Sequence, residues 1–119
     1  MPQFAIDSTV GRFQRDLADA VRRHPSIIED LRETLDKLEN DPHIGVWVPG
    51  VDAEVRKVRV GVRKQNIGKS AGYRLLYLVE PDTKVIRLLF LHFKPRKAII
   101  LPGEISALLG KLNDPSGWR

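Results

Sequence analysis

Cysteine is absent from the chain, which excludes disulfide scaffolding, thiol catalysis and every cysteine-based zinc site. Long apolar runs are absent too. The longest spans only a few residues, far short of the roughly 20 that cross a bilayer, so no membrane partner is expected. Met1-Pro2-Gln3-Phe4-Ala5-Ile6-Asp7 lacks the basic start and apolar core of a signal peptide, and a cytoplasmic location is the expectation. The three histidines, His24, His43 and His92, stand at no ligand spacing, so neither a metal nor a cofactor is expected. No repeat, linker or low-complexity segment interrupts the 119 residues, and residues 1–119 read as one domain with a single core.

Acids are scarce in one region. From Glu54 to Lys97 there are twelve Lys and Arg against three acids, a local net charge of +9, while the rest of the chain sums to −4 within an overall +5. The cationic excess therefore lies in the segment with strand character, and a patch so concentrated favours polyanions through Coulomb attraction and counterion release.

That segment opens with Val55-Arg56-Lys57-Val58-Arg59-Val60-Gly61-Val62-Arg63-Lys64. Its alternation predicts a strand over 55–63, with Val58, Val60 and Val62 on one face and Lys57, Arg59 and Arg63 on the other. A strand over 73–79 follows, placing Tyr73, Leu75, Tyr77 and Val79 on one face and Arg74, Leu76 and Leu78 on the other. After the turn-forming Glu80-Pro81-Asp82-Thr83, the nearly continuous apolar run 85–93, broken by Arg87 and His92, reads as a central strand. These three should form an antiparallel meander. Residues 45–48 suit a short strand, and Phe4-Ala5-Ile6 an edge strand.

Upstream, Val10, Phe13, Leu17, Ala20 and Val21 have helical spacing, with Asp7, Ser8 and Thr9 as candidate caps. Ile27, Leu31, Leu35 and Leu38 stripe a second helix, and Ser26 with Glu29 has the capping-box spacing. Ile105, Leu108, Leu109 and Leu112 mark a short C-terminal helix, followed by a loose tail from Asp114. The order predicts an α+β fold in which two N-terminal helices pack on a small antiparallel sheet.

Gly68-Lys69-Ser70 is not a P-loop, because Arg63 stands where the first glycine belongs and a strand follows. What remains is a cationic concavity: Lys57, Arg59 and Arg63, with Lys64 and Lys69 beside them, Arg74 on the next strand, and Lys94, Arg96 and Lys97 at the end of the central strand. Several guanidinium groups together can grip a phosphate and stabilise a pentacoordinate phosphorus. RNA supplies its own 2′-hydroxyl as nucleophile, so positive charge, positioning, a base and an acid suffice. His92 is a candidate acid or base. Tyr73, Tyr77 and Phe93 could stack a base, core burial being the alternative. Arg74, set among Leu75, Leu76, Tyr77 and Leu78, is out of place unless it meets a ligand or a helix acid such as Asp30 or Glu33.

The pattern resembles the RelE/ParE toxin superfamily, in particular its RelE- and HigB-like ribosome-dependent mRNA interferases. The resemblance is carried by Phe13-Gln14-Arg15-Asp16-Leu17, Val55-Arg56-Lys57-Val58-Arg59, Gly68-Lys69-Ser70-Ala71-Gly72-Tyr73-Arg74-Leu75-Leu76-Tyr77 and Leu91-His92-Phe93-Lys94-Pro95-Arg96-Lys97. It implies a type II toxin neutralised by a cognate antitoxin and cleaving mRNA in the ribosomal A site. Lys57 and Arg59 would then contact RNA and activate the attack, Arg74 would stabilise the phosphate, and Arg96, or Lys94, would supply the second arginine's charge. Arg63, Lys64, Lys69, Lys94 and Lys97 would bind RNA. Where some members carry an aromatic acid–base residue, this chain reads Ala98-Ile99-Ile100-Leu101, leaving His92 or a lysine for that task. The ParE branch shares the fold but inhibits DNA gyrase without cutting RNA, so the alternatives are a gyrase inhibitor of that kind or an inactive nucleic-acid-binding relative.

Overall fold

The computed structural model describes residues 3–113, and the tail expected from Asp114 onward lies outside them. Chain order is β1 (Ala5–Asp7), α1 (Gly11–Arg23), α2 (Ile27–Asn40), β2 (Val46–Trp47), β3 (Val55–Val60), β4 (Tyr73–Glu80), β5 (Val85–Phe93) and α3 (Pro102–Asn113). Short 3-10 turns occupy Arg63–Gln65 and Lys69–Ala71. The α+β architecture matches expectation, with two N-terminal helices and a short C-terminal one. Among the described residues no helix is long and apolar enough to cross a membrane.

The strand order is β1-β5-β4-β3-β2, and β3, β4 and β5 form the antiparallel meander. The sheet as a whole is mixed rather than antiparallel. β1 pairs parallel to β5, Ala5 opposite Val85 and Asp7 opposite Arg87. The whole helical pair and three strands intervene between them, a connection long enough to return the chain in the same direction.

β4 alternates as its sequence demands. Tyr73, Leu75, Tyr77 and Val79 are buried, and α1 and α2 supply Phe13, Ala20, Ile27, Leu31 and Leu38 to the same core. α1 also repairs a gap in the sheet. β1 reaches only as far as Arg87 along β5, and the unpaired Leu91 N–H beyond it donates to the Asp16 carboxylate at 2.9 Å. Burial of Asp16 pushes its pKa up, opposed by that N–H and by Arg12. At the other edge, the Tyr77 hydroxyl donates to the Pro42 carbonyl at 2.8 Å and accepts the Gly45 N–H at 3.0 Å. A Cβ on Gly45 would stand 2.5 Å from that oxygen, so the glycine lets the chain reach the phenol that anchors β2.

Two helix entries differ from expectation. Val10 rather than Asp7, Ser8 or Thr9 is the residue preceding α1, and it provides no side-chain cap; Asp7 instead accepts the Thr9 N–H and hydroxyl at 2.8 and 2.6 Å. The capping box at Ser26 and Glu29 does not form. Ser26 is helical, its carbonyl takes the Glu29 N–H, and the Glu29 carboxylate is drawn away to Lys64.

β3 stops at Val60, three residues short of the expected Arg63. The crossing to β4 is too tight to continue the ladder: a Cβ on Gly72 would lie 2.4 Å from the Val60 carbonyl oxygen. Val62 bridges Ile67, with Asn66 left-handed at φ 55°. Arg63 and Lys64 therefore leave the sheet.

Candidate functional site

Register builds the site. Arg59 on β3 stands opposite Arg74 on β4, and Arg74 opposite His92 on β5. One step away along the same face, Lys57 stands opposite Leu76. This row lies on the face turned away from α1 and α2, because Tyr73 and Leu75 take the helix side. The segment 98–102 and Val48-Pro49 after β2 wall Lys57, Arg74 and His92 into a cleft of about 220 Å³, among apolar Leu76, Val48 and Ile100.

Arg74 is 8% exposed. Its Nη1 donates to the carbonyls of Lys69 and Tyr73 at 3.0 and 3.2 Å, and its Nη2 to that of Ser70 at 3.0 Å. The expected alternative partners, Asp30 and Glu33, are elsewhere: both pair with Arg63. Two of the five guanidinium N–H donors thus fix the side chain to the Lys69–Ala71 turn and a third to the Tyr73 carbonyl, and two remain for a ligand. Burial, and the Arg59 charge beside it, lower its pKa; an arginine remains cationic nonetheless. Among the described residues no carboxylate lies within ion-pair distance of Lys57, Arg59 or Arg74.

His92 is buried and its Nδ1 lies 2.6 Å from the Lys97 carbonyl oxygen. A carbonyl only accepts, so Nδ1 carries the proton and Nε2 keeps its lone pair. Burial holds the pKa below its ordinary value, with the charges of Arg74 and Lys57 acting in the same direction; the Lys97 bond and Asp16 oppose them. The ring is a neutral base set among cations. It can take a proton from a hydroxyl whose neighbouring phosphate the cations hold.

The remaining expected residues scatter around this row. Lys94 sits at the rim, its Nζ donating to the same Ser70 carbonyl that holds Arg74, at 3.2 Å. The exposed Lys69 contributes its carbonyl to Arg74. Lys97 turns to Glu104 at 3.0 Å. Arg63 and Lys64 are committed to α2 through Asp30, Glu33 and Glu29. Arg96 is exposed and is not in the cleft wall. Tyr73 and Tyr77 are fully buried core residues and Phe93 is half-buried among them, so the aromatic faces are packed rather than offered to a base.

Two features escape a reading of the sequence. The apolar segment Ala98–Leu101 covers the cleft; its hydrophobicity was visible but its destination was not. Arg23 docks on the opposite face, donating to the Tyr73 hydroxyl at 3.0 Å. In the sequence it is one of two arginines ending a helix, where a cation ordinarily complements the helix dipole.

A family model described as the ParE toxin of the type II toxin-antitoxin system, parDE, matches residues 11–93. No curated protein matches the chain. Among solved structures, one of an E. coli RelE toxin mutant in the free state superposes with a TM-score of 0.54 at 20% identity, over 82% of this chain and 90% of that one. At that identity the likeness speaks for the fold alone, and the RelE fold is the one observed here. The family match spans well over half the chain, from the first helix through the strand that carries His92. The chain is a member of the ParE toxin family within the RelE/ParE superfamily, a type II toxin whose partner is an antitoxin.

Proposed function

We propose that this toxin is a ribosome-dependent mRNA endonuclease. The observation that carries the reading is the cross-strand row Arg59–Arg74–His92, in which His92 stands opposite Arg74 with its Nδ1 held at the Lys97 carbonyl, leaving Nε2 for a substrate proton. His92 takes the proton from the RNA 2′-hydroxyl, the O2′–P bond forms, and the P–O5′ bond breaks. Lys57, the ammonium in the cleft, gives its proton to the departing 5′-oxygen. Arg74, with its two remaining donors, and Arg59 hold the extra negative charge on phosphorus. The Lys69, Ser70 and Tyr73 carbonyls fix the guanidinium in advance, so little reorganisation is needed as charge develops. The ribosome would present the message to a protein with so small a cleft, and the +9 segment suits an RNA-rich surface.

A second reading is inhibition of DNA gyrase without chemistry, as in the ParE branch. The description of the matching family favours it, as does the commitment of three Arg74 donors to backbone. One experiment separates the two: mapping mRNA 5′ ends after brief induction of wild type and Arg74→Ala. New ends within translated frames, absent in the variant, support the nuclease. Growth arrest with intact mRNA rejects it and directs attention to gyrase supercoiling assays.

A further inference from the structure

Arg23 shares a signature with Arg74. Among the described residues, these two are the arginines that are at least partly buried yet have no ion-paired carboxylate; the other partly buried ones, Arg12, Arg56 and Arg87, each face an acid. Burying part of a guanidinium without a counter-charge is costly unless something else compensates. Arg23 has a built setting. Its guanidinium lies 5.2 Å over the Phe93 ring and donates to the Tyr73 hydroxyl. A guanidinium cannot accept, so the hydroxyl proton has one recipient among its partners, Nδ1 of His24 at 2.8 Å. The proton of the neutral His24 ring is then on Nε2. Burial and the Arg23 charge keep His24 below its ordinary pKa, consistent with that neutral form.

The cations form a track. Arg74 and Lys94 share the Ser70 carbonyl at the cleft rim. Arg23 sits on the Tyr73 hydroxyl, one residue along β4 from Arg74 and on the other face. Positive charge therefore stands on both faces at this end of the sheet. A string of regularly spaced anions suits such a track better than a single one.

We infer that Arg23 and His24 form a second phosphate site, which takes a phosphodiester of a nucleotide flanking the one held at Arg74. This rests on the RNA reading above. The site contributes affinity and register to the RNA strand and no step of the chemistry. Arg23 donates with the N–H groups that Tyr73 leaves unused, and His24 donates from Nε2.

The test begins on the wild-type protein, so it does not depend on a variant folding. Imidazole resonances of His24 are followed by NMR through a pH titration with and without inorganic phosphate. A bound anion stabilises the imidazolium, so phosphate should raise the His24 pKa in wild type and in Arg74→Ala, but not in Arg23→Gln. Binding of a single-stranded oligoribonucleotide is then measured over a range of salt. Arg23→Gln should weaken it about tenfold and flatten the salt dependence by roughly 0.7 for the one phosphate lost. A His24 pKa indifferent to phosphate overturns the inference. So does an Arg23→Gln variant that binds like wild type while mRNA cleavage persists, and that result leaves the nuclease reading standing. If polyglutamate moves His24 and the oligoribonucleotide does not, the site serves an acidic protein segment and the inference is wrong. If the wild type neither binds nor cuts RNA, the nuclease reading and this inference fall together.

Discussion

The basic run from Lys57 to Lys64 divides, in the folded chain, into two parts with opposite surroundings. Lys57 and Arg59 remain on β3, Lys57 lining the cleft and Arg59 exposed opposite Arg74, and among the described residues no carboxylate pairs with either. Arg63 and Lys64, a few residues on, leave the sheet and meet α2: Arg63 contacts Asp30 and Glu33 at 2.9 and 2.8 Å, and Lys64 contacts Glu29 at 3.1 Å. The first part is a concentrated field awaiting an anion. The second is a clamp whose charge the helix already neutralises. Residue type is the same in both; what differs is whether the backbone points the side chain toward an acidic helix. A charge run becomes a binding surface only where the fold withholds its counter-ions.

The sharpest way to break this contrast is at Arg74. Its truncation to alanine removes three hydrogen bonds, although Ser70 keeps Lys94, and should lower unfolding stability by about 1–3 kcal/mol, as read by urea denaturation. In the nuclease reading it should also cut single-turnover mRNA cleavage by on the order of a hundredfold or more. Arg74→Lys separates these effects, since an ammonium restores charge without the planar fork. Equal losses in both variants would mean geometry, not charge, is what the site requires.

His92 gives the next largest effect, through pH. Its folded pKa lies below the ordinary 6.5, so cleavage should rise with pH as the ring loses its proton and level off above 6.5. The sign for stability follows from the same depression: protons bind the unfolded ring more readily. Stability is therefore full above 6.5 and falls as pH drops through the folded pKa. Denaturation of wild type and His92→Gln between pH 5 and 8 checks this; parallel curves would remove His92 as the titrating group.

A smaller effect tests the clamp directly. Asp30→Asn combined with Glu33→Gln frees Arg63 without removing it, and should strengthen oligonucleotide binding at low salt by a few-fold, vanishing at high salt. Unchanged binding would show that Arg63 is too far from the nucleic-acid path to matter. The smallest effect belongs to Lys64→Ala. An exposed ion pair contributes about 0–1 kcal/mol, so its denaturation midpoint should barely move.

Much of the fold was legible because period and turn chemistry are local. The alternation of Tyr73, Leu75, Tyr77 and Val79 against Arg74 and Leu76 placed Arg74 on the face opposite the helices, and cross-strand pairing did the rest. The end of β3 was not legible. Valine alternation runs through Val62, but the Val60 carbonyl lies where any Cβ at Gly72 would collide, a constraint written by a residue twelve positions away. The caps misled for a similar reason: Ser26 and Glu29 have the right spacing, yet Lys64 competes for the carboxylate. Arg23 was invisible as anything but a helix-end cation until Tyr73 and Phe93 stood beside it.

The sequence by itself determined the class of the molecule: two amphipathic helices, a three-strand meander, and an uncompensated block of positive charge. Those properties follow from residue type and short-range periodicity, which survive without knowledge of neighbours. Only the tertiary structure decided which cations are answered by acids and which way His92 holds its proton. Each of these depends on contacts between residues far apart in the chain, and pairing energies at that range are set by where the backbone brings the groups.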